Sequence, residues 1–399
     1  HGALRANDAL TLTSSGTVNN THGLVSSADT LTIKDTATDK TLAVTNTGGI
    51  LIADQALTID SASLSNSGRI LGVTDVDIKL ADDLAHGGEI TANRNARVET
   101  AGVLTNNGIV QAGDTLTVTA ATLNNAATGT LKATRTQLTA TDSHTLENRG
   151  LIDGSDTFID SITVNNLGTG RIYGDHVAIA ATTLTNAAET VAGTSSAPVI
   201  AARDRLDIGA TTIDNLQGAM LFSAGDLALG GALDTDHHAT GRAGTLNNVG
   251  ATIEALGKVS IDAAQINNRN AGLTTHEVNT GSTSVTEYQG SGAATRYLAG
   301  TSGVYIYEDE SDHLHTPEGN YSSWLAYRYT RTTTETQVLT SAPGEILSGG
   351  AMALSADAVL NDNSRIVAGG TLSATAGTIE NRETTGERTI TEAGTVTSY

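Results

Sequence analysis

The sequence predicts an all-β chain: a right-handed parallel β-helix, a solenoid of about 20-residue coils, with a β-rich excursion outside the helix. Three observations predict this. An Asn landmark recurs at Asn20, Asn46, Asn66, Asn106, Asn125, Asn148, Asn166, Asn186, Asn215, Asn248 and Asn268, most often at steps of 18 to 20 residues, with His86 in the slot between Asn66 and Asn106. An aliphatic residue stands two places before each landmark, among them Val44, Leu64, Leu104 and Val164, so the pair shares one strand face. A second apolar pair, such as Leu57 with Ile59 or Leu116 with Val118, keeps period 2 behind a turn carrying Asp or Gly.

One such unit cannot bury its own apolar face, but stacked units can, each backbone pairing with the coil above and below. At roughly 3.3 Å per residue, a 20-residue coil has a perimeter of about 60 Å, which suits three short strands and three corners. About fourteen coils spaced about 4.8 Å apart make a rod on the order of 65 Å long. Parallel crossovers are right-handed, which sets the expected hand. Each landmark Asn shares the inward face with an aliphatic residue, so its amide must find partners inside. Stacked from coil to coil, Asn66, Asn106, Asn125, Asn148, Asn166, Asn186, Asn215, Asn248 and Asn268 are expected to form a structural ladder, each amide bonding the next Asn or a corner carbonyl. Asn also tolerates the left-handed conformation that tight corners need.

Composition narrows the function. The 399 residues include no Cys, so disulfides, thiolate metal sites and a Cys nucleophile are excluded. The net charge of -21 argues against nucleic acid and anionic membranes as partners. Much of that acid sits in the repeat's turn, which points to solubility. No apolar run is long enough to insert in a membrane as a helix. The repeat is under way by Leu10 and still running at Asn381, so a slice of something longer, a monomeric filament segment, is expected.

Along the chain, residues 1–270 form the main array, with 187–199 and 232–244 expected as loops between units. Residues 271–343 break the pattern. Eight of the twelve aromatic residues lie here: Tyr288, Tyr297, Tyr305, Tyr307, Tyr321, Trp324, Tyr327 and Tyr329, which marks the segment as a separate β-rich excursion. Tyr and Trp supply stiff contact area, so these eight are the candidate recognition surface, the competing reading being a small local core. Tyr305 and Tyr307 share one strand face, as do Tyr327 and Tyr329, so one face can pack while another is displayed. The array resumes over 344–382. Residues 383–399 resemble the start of the excursion, Val396-Thr-Ser-Tyr399 echoing Val285-Thr-Glu-Tyr288, and are expected to begin a second one, cut short.

Chemistry is sparse. His237 and His238, with Asp234 and Asp236, have metal-ligand side chains, but an exposed polar loop accounts for them. Asp312, His313 and His315, with Glu308 and Glu310 near, form a second such group, equally without a converging partner element. No cofactor is expected, and neither a calcium-binding GGxGxD motif nor a phosphate loop is present. Asp153, Asp156 and Asp160 crowd together as they would in a polysaccharide-active β-helix enzyme, the alternative class, yet Asp156 occupies the recurring turn slot. The expectation is that the chain is not an enzyme.

Units such as LTNNGIVQAGDTLTV, Leu104 to Val118, and LNDNSRIVAGGTL, Leu360 to Leu372, resemble filamentous haemagglutinin repeats, found in the large exoproteins of bacterial two-partner secretion systems. The resemblance covers nearly the whole chain apart from the excursion. It implies a β-helical filament exported through an outer-membrane transporter and displayed on Gram-negative cells. Such proteins act as adhesins or contact-dependent growth inhibition effectors, so the implied partner is a protein or glycan receptor on a neighbouring cell. A pure scaffold, with recognition and toxicity elsewhere, is a further alternative.

Overall fold

The computed structural model describes residues 2–308 and 312–399, with the backbone alone at 142–144 and 312. Every regular element among the described residues is a strand. The chain divides into two units, residues 1–272 with 342–383 and residues 273–341 with 384–399.

The first unit is a parallel β-helix. Each coil gives one strand to each of three parallel sheets. In one coil these are Glu89–Ala92, Asn95–Thr100 and Val103–Asn106, and in the next Ile109–Ala112, Thr115–Ala120 and Thr122–Asn125. Successive coils pair in register, Ile90 on Val110, Val98 on Val118 and Leu104 on Leu123. Period 2 in sequence therefore becomes columns of like side chains in space. Leu104, Val110, Leu116 and Val118 are completely buried in one continuous core. Each such side chain contributes roughly 1.5–3 kcal/mol through burial. Thr117 and Thr119 alternate outward between them, where a β-branched polar residue suits a half-solvated face.

The corner after each landmark Asn is tight. A Cβ on Gly108 would sit 2.2 Å from the Gly88 carbonyl oxygen of the coil before, so this corner requires glycine, whereas the corners that lead into Val199, Met220 and Thr252 hold Pro198, Ala219 and Ala251 in that place. At this corner the Asn46 amide donates to Asn66 Oδ1 at 2.8 Å and to the Arg69 carbonyl at 3.2 Å. The same pair of bonds, to the next Asn and to a carbonyl of the next coil, recurs at Asn106, Asn125, Asn148, Asn166, Asn186, Asn215 and Asn248. Asn268 continues the series to Asn361. His86 interrupts it. The Asn66 amide donates to His86 Nδ1 at 3.1 Å, and His86 Nε2–H donates to the Ile109 carbonyl at 3.1 Å.

Two insertions expected as loops are hairpins. Glu189–Val191 pairs antiparallel with Thr194–Ser196, and Ala232–Leu233 with Ala239–Thr240. The coil that precedes the excursion pairs directly with the coil that follows it, Ile253 on Ile346, Ile261 on Leu354 and Ile266 on Val359. The chain leaves the helix beside the point where it returns, since Ala271 N–H donates to the Ala342 carbonyl at 2.8 Å.

The second unit is antiparallel. Its larger sheet runs Tyr297–Leu298, Thr274–Gly290, Trp324–Thr340, Arg388–Ser398. A smaller sheet holds Tyr305–Glu308, Asp312–Thr316 and Gly319–Tyr321. The second departure from the helix thus joins the first, because Arg388–Ser398 pairs along the free edge of Trp324–Thr340.

Candidate recognition surface

Alternation along the strands of the second unit sorts its aromatic residues into two groups. Trp324 and Ala326 point inward and, with Val304 and Leu314, make a small core against which Tyr288, Tyr297 and Tyr321 pack. Trp324, one of the eight candidate recognition residues, is only 1% exposed and belongs to this core, the competing reading for these aromatics. Its indole lies parallel to Tyr399 at 4.2 Å and edge-on to Tyr288 at 5.4 Å. Tyr399 was not singled out by composition, although the Val-Thr-x-Tyr echo carried the signal. The two echoing strands flank the same central strand, Val285 opposite Tyr329 and Val396 opposite Tyr327, and so bring both tyrosines to one indole. Burial, with Glu318 nearby, pushes the Tyr297 phenol above its ordinary range.

The other group faces outward. Tyr305 pairs with His315 and Tyr307 with His313 across the small hairpin, while Ile306 and Leu314 take the opposite face. The Tyr305 and His315 rings are 4.6 Å apart, Tyr307 and His313 stack at 5.4 Å, and the two tyrosines are 6.2 Å apart. Tyr305 is 52% exposed. His315 Nδ1–H donates to Asn320 Oδ1, which orients its ring. Tyr327 and Tyr329 are half-buried: Arg296 lies 3.7 Å over the Tyr327 ring, and the Tyr327 hydroxyl donates to Gln289 at 2.7 Å. Of the metal-type group near this hairpin, Glu310 and the side chain of Asp312 lie outside the described residues.

A second cluster covers one outer face of the β-helix. Asp207, fully buried, accepts from Arg205 Nη2 at 2.9 Å, from His176 Nε2–H at 3.1 Å and from the Ala239 N–H at 2.8 Å. Burial pushes its carboxyl up, but these donors outweigh that and hold it below the ordinary range. His237 stacks on Phe158 at 4.0 Å, and His238 lies 5.9 Å from the His176 ring. The Asp234 carboxylate is occupied by the N–H groups of Asp236 and His238, which hold its pKa below the usual range. The His-Asp loop is therefore a hairpin fastened to the sheet. Among the described residues no three His, Asp or Glu side chains gather as a metal site. Of the crowded carboxylates, Asp156 is ion-paired with Arg135 at 2.9 Å, and Asp160 lies with Asp234 and His237 on an open groove of about 430 Å³. Asp153 lies in a different sheet from both, on Leu151–Asp153.

Haemagglutinin-repeat matches cover residues 1–88, 74–210, 199–287 and 319–398. The chain belongs to the haemagglutinin-repeat family. The Toxin CdiA of Escherichia coli is 28% identical to this haemagglutinin-repeat chain over 344 residues, which is 84% of the chain and 9% of the relative. No solved structure matches. The repeat matches reach into both long strands of the second unit and leave residues 288–318 uncovered. That gap holds Tyr305, Tyr307, His313 and His315.

Proposed function

We infer that the chain is a stalk segment of a large, secreted, surface-displayed exoprotein, and that its second unit meets a receptor on a neighbouring cell. The single observation that carries this is the interruption of a uniform array by one unit whose hairpin presents Tyr305, Tyr307, His313 and His315 together. The repeats supply length by stacking, and the interruption falls at a corner where an insertion leaves coil pairing intact. Family membership supports export through an outer-membrane two-partner transporter and display on a Gram-negative cell. The likeness to a toxin supports contact-dependent delivery of a toxic region, with adhesion as the other use of the same architecture. A structural rather than enzymatic role is supported by the pairing of Asp156 with Arg135 and of Asp75 with Arg94, side chains that join neighbouring coils.

The test is removal of residues 273–341 and 384–399. The hydrogen-bonded pair Ala271 and Ala342 allows the break to be closed by a short link. The expected result is a β-helix with an unchanged circular dichroism spectrum that no longer binds target cells. Binding at the original level by the shortened chain would defeat the recognition role.

A further inference from the structure

The second unit holds one sheet edge that the fold leaves open. Arg388–Ser398 is the last strand of the larger sheet and pairs on one side only, with Trp324–Thr340. Its 11 residues pair there without a register shift, and all are exposed. The opposite edge of the same sheet is treated differently. Thr274–Gly290 is partly covered by Tyr297–Leu298 and carries register shifts between Thr274 and Thr275 and between Asn279 and Gly281. Bulges and covering strands blunt an edge against further pairing, and Arg388–Ser398 has neither. Its charges do not guard it either. Arg388 is paired with Glu335 at 3.2 Å and Glu392 with Arg331 at 2.6 Å, both on the neighbouring strand.

The existing bonds fix which groups face outward. Trp324 and Tyr399 exchange both backbone hydrogen bonds, and the Thr336 N–H donates to the Glu387 carbonyl. Antiparallel pairs alternate, so Thr389, Thr391, Ala393, Thr395 and Thr397 turn their backbone groups toward Trp324–Thr340. The N–H and C=O groups of Ile390, Glu392, Gly394 and Val396 point away from it, and among the described residues no strand pairs with them. The sequence then selects the register of a like strand laid antiparallel against this edge. With Ala393 opposite Ala393, Ile390 meets Val396 and Glu392 meets Gly394, once on each side of the centre. Ile390 and Val396 are 56% and 57% exposed, and this register sets the two aliphatics side by side. Centring on Glu392 opposes two carboxylates, and centring on Gly394 sets Glu392 against Val396.

We propose that this edge docks a second copy of the chain, antiparallel about Ala393, so that two 4-stranded sheets join into one. The occupant is a second copy because the strand complements itself in this register, and its one Arg and one Glu leave it without net charge. Two stalks are then held side by side, in place of the monomeric segment expected from the repeat alone. The chain has no Cys, so a single introduced thiol reports only on contact between copies. In this register the two Ala393 residues form a non-hydrogen-bonded pair with Cα atoms about 4.5 Å apart, within the roughly 4.4–6.8 Å that a disulfide spans. Oxidised Ala393→Cys should therefore run as a cross-linked dimer. Thr391→Cys alone should not, because its twin lies about 13 Å along the strand. A mixture of Thr391→Cys and Thr395→Cys should cross-link, since those positions lie opposite each other. The unaltered 399-residue chain should sediment toward twice its 40.7 kDa mass as its concentration rises. Ile390→Pro removes an outward N–H and no bond within the sheet, and should return the mass to 40.7 kDa with an unchanged circular dichroism spectrum. If that variant misfolds, the cysteine series decides alone. A single 40.7 kDa species at every concentration, equal cross-linking of Ala393→Cys and Thr391→Cys, or an undiminished dimer in folded Ile390→Pro would overturn the proposal.

Discussion

The buried imidazole of His86 is the one departure from amide chemistry among the described residues of the column that runs through Asn268 and Asn361 to Asn381, and its protonation state is set by its neighbours. Asn66 offers it an N–H, so Nδ1 must accept, and Nε2–H must donate to Ile109. A protonated ring would place a donor against a donor. Burial depresses its pKa from 6.5, only partly opposed by the Ile109 carbonyl. The unfolded chain then takes up a proton near 6.5 and the folded chain only at lower pH. Stability attached to this group is thus fully present above pH 6.5 and is lost as pH falls toward the folded pKa. His86→Asn should remove this dependence and let the column run from Asn66 to Asn106 unbroken. Melting temperatures at pH 7.5 and 5.5 check it: wild type should fall over that interval and the variant should not. The depressed carboxylates Asp75 and Glu89 have ordinary values of 3.8 and 4.5, below the window, and do not obscure it. An equal fall in both proteins would dismiss His86 as the cause. At this scale the sequence was legible wherever period placed a residue. Asn66 and Leu104 announce their positions by spacing, and His86 by filling a slot. The indole of Trp324 announced only that it was aromatic, because its burial depends on Tyr288 and Tyr399, which lie 36 and 75 residues away.

The hairpin at residues 232–240 shows what holds an inserted element to a repeating scaffold. Its two-residue strands cannot be stable alone. It is fastened by Asp207, which binds the Ala239 N–H while gathering His176 and Arg205, and by His237 stacked on Phe158. Asp207→Ala leaves Arg205 and His176 without their acceptor and should destabilise the closed hairpin by about 3 kcal/mol. Limited proteolysis should then cut first at residues 234–238, and the Ala239 amide should exchange faster while core coils keep their protection. Unaltered protection at Ala239 would show that stacking on Phe158 alone suffices. The coils were legible because each repeats its neighbour's instructions. The hairpin was not, because its fastenings come from Phe158, His176 and Asp207 on three different coils, at outward positions where the repeat imposes no residue type. The outward Tyr-His face was half legible: alternation put Tyr305 with Tyr307, but the antiparallel pairing that sets His313 and His315 opposite them has no periodic counterpart.

At the scale of the whole β-helical unit, ion pairs between coils are numerous but weak. Arg69 with Glu89 and Arg135 with Asp156 each join successive coils on the surface. Exposed pairs of this kind contribute about 0–1 kcal/mol each, less than one buried Leu or Ile. Register is therefore set by the inward columns and corners, which keep the same spacing and inward face from coil to coil. It follows that one complete coil is dispensable and part of one is not. Asp75, Asn95 and Thr115 occupy equivalent places in successive coils. Deleting residues 95–114 joins Arg94 to Thr115, removes one strand from each sheet, and sets Leu116 on Val76 and Val110's successor Leu131 on Ile90. The inward face stays inward throughout. The product should keep a β-type circular dichroism spectrum and a cooperative melt within a few degrees of wild type. Deleting only residues 95–104 instead joins Arg94 to Thr105, so that a third-sheet strand follows a first-sheet turn and the later corners fall out of step with those below. That chain should lose its cooperative melt or aggregate, because exposed strand edges and displaced aliphatics are no longer covered. Equal tolerance of both deletions would mean that the coils do not act as units of stacking.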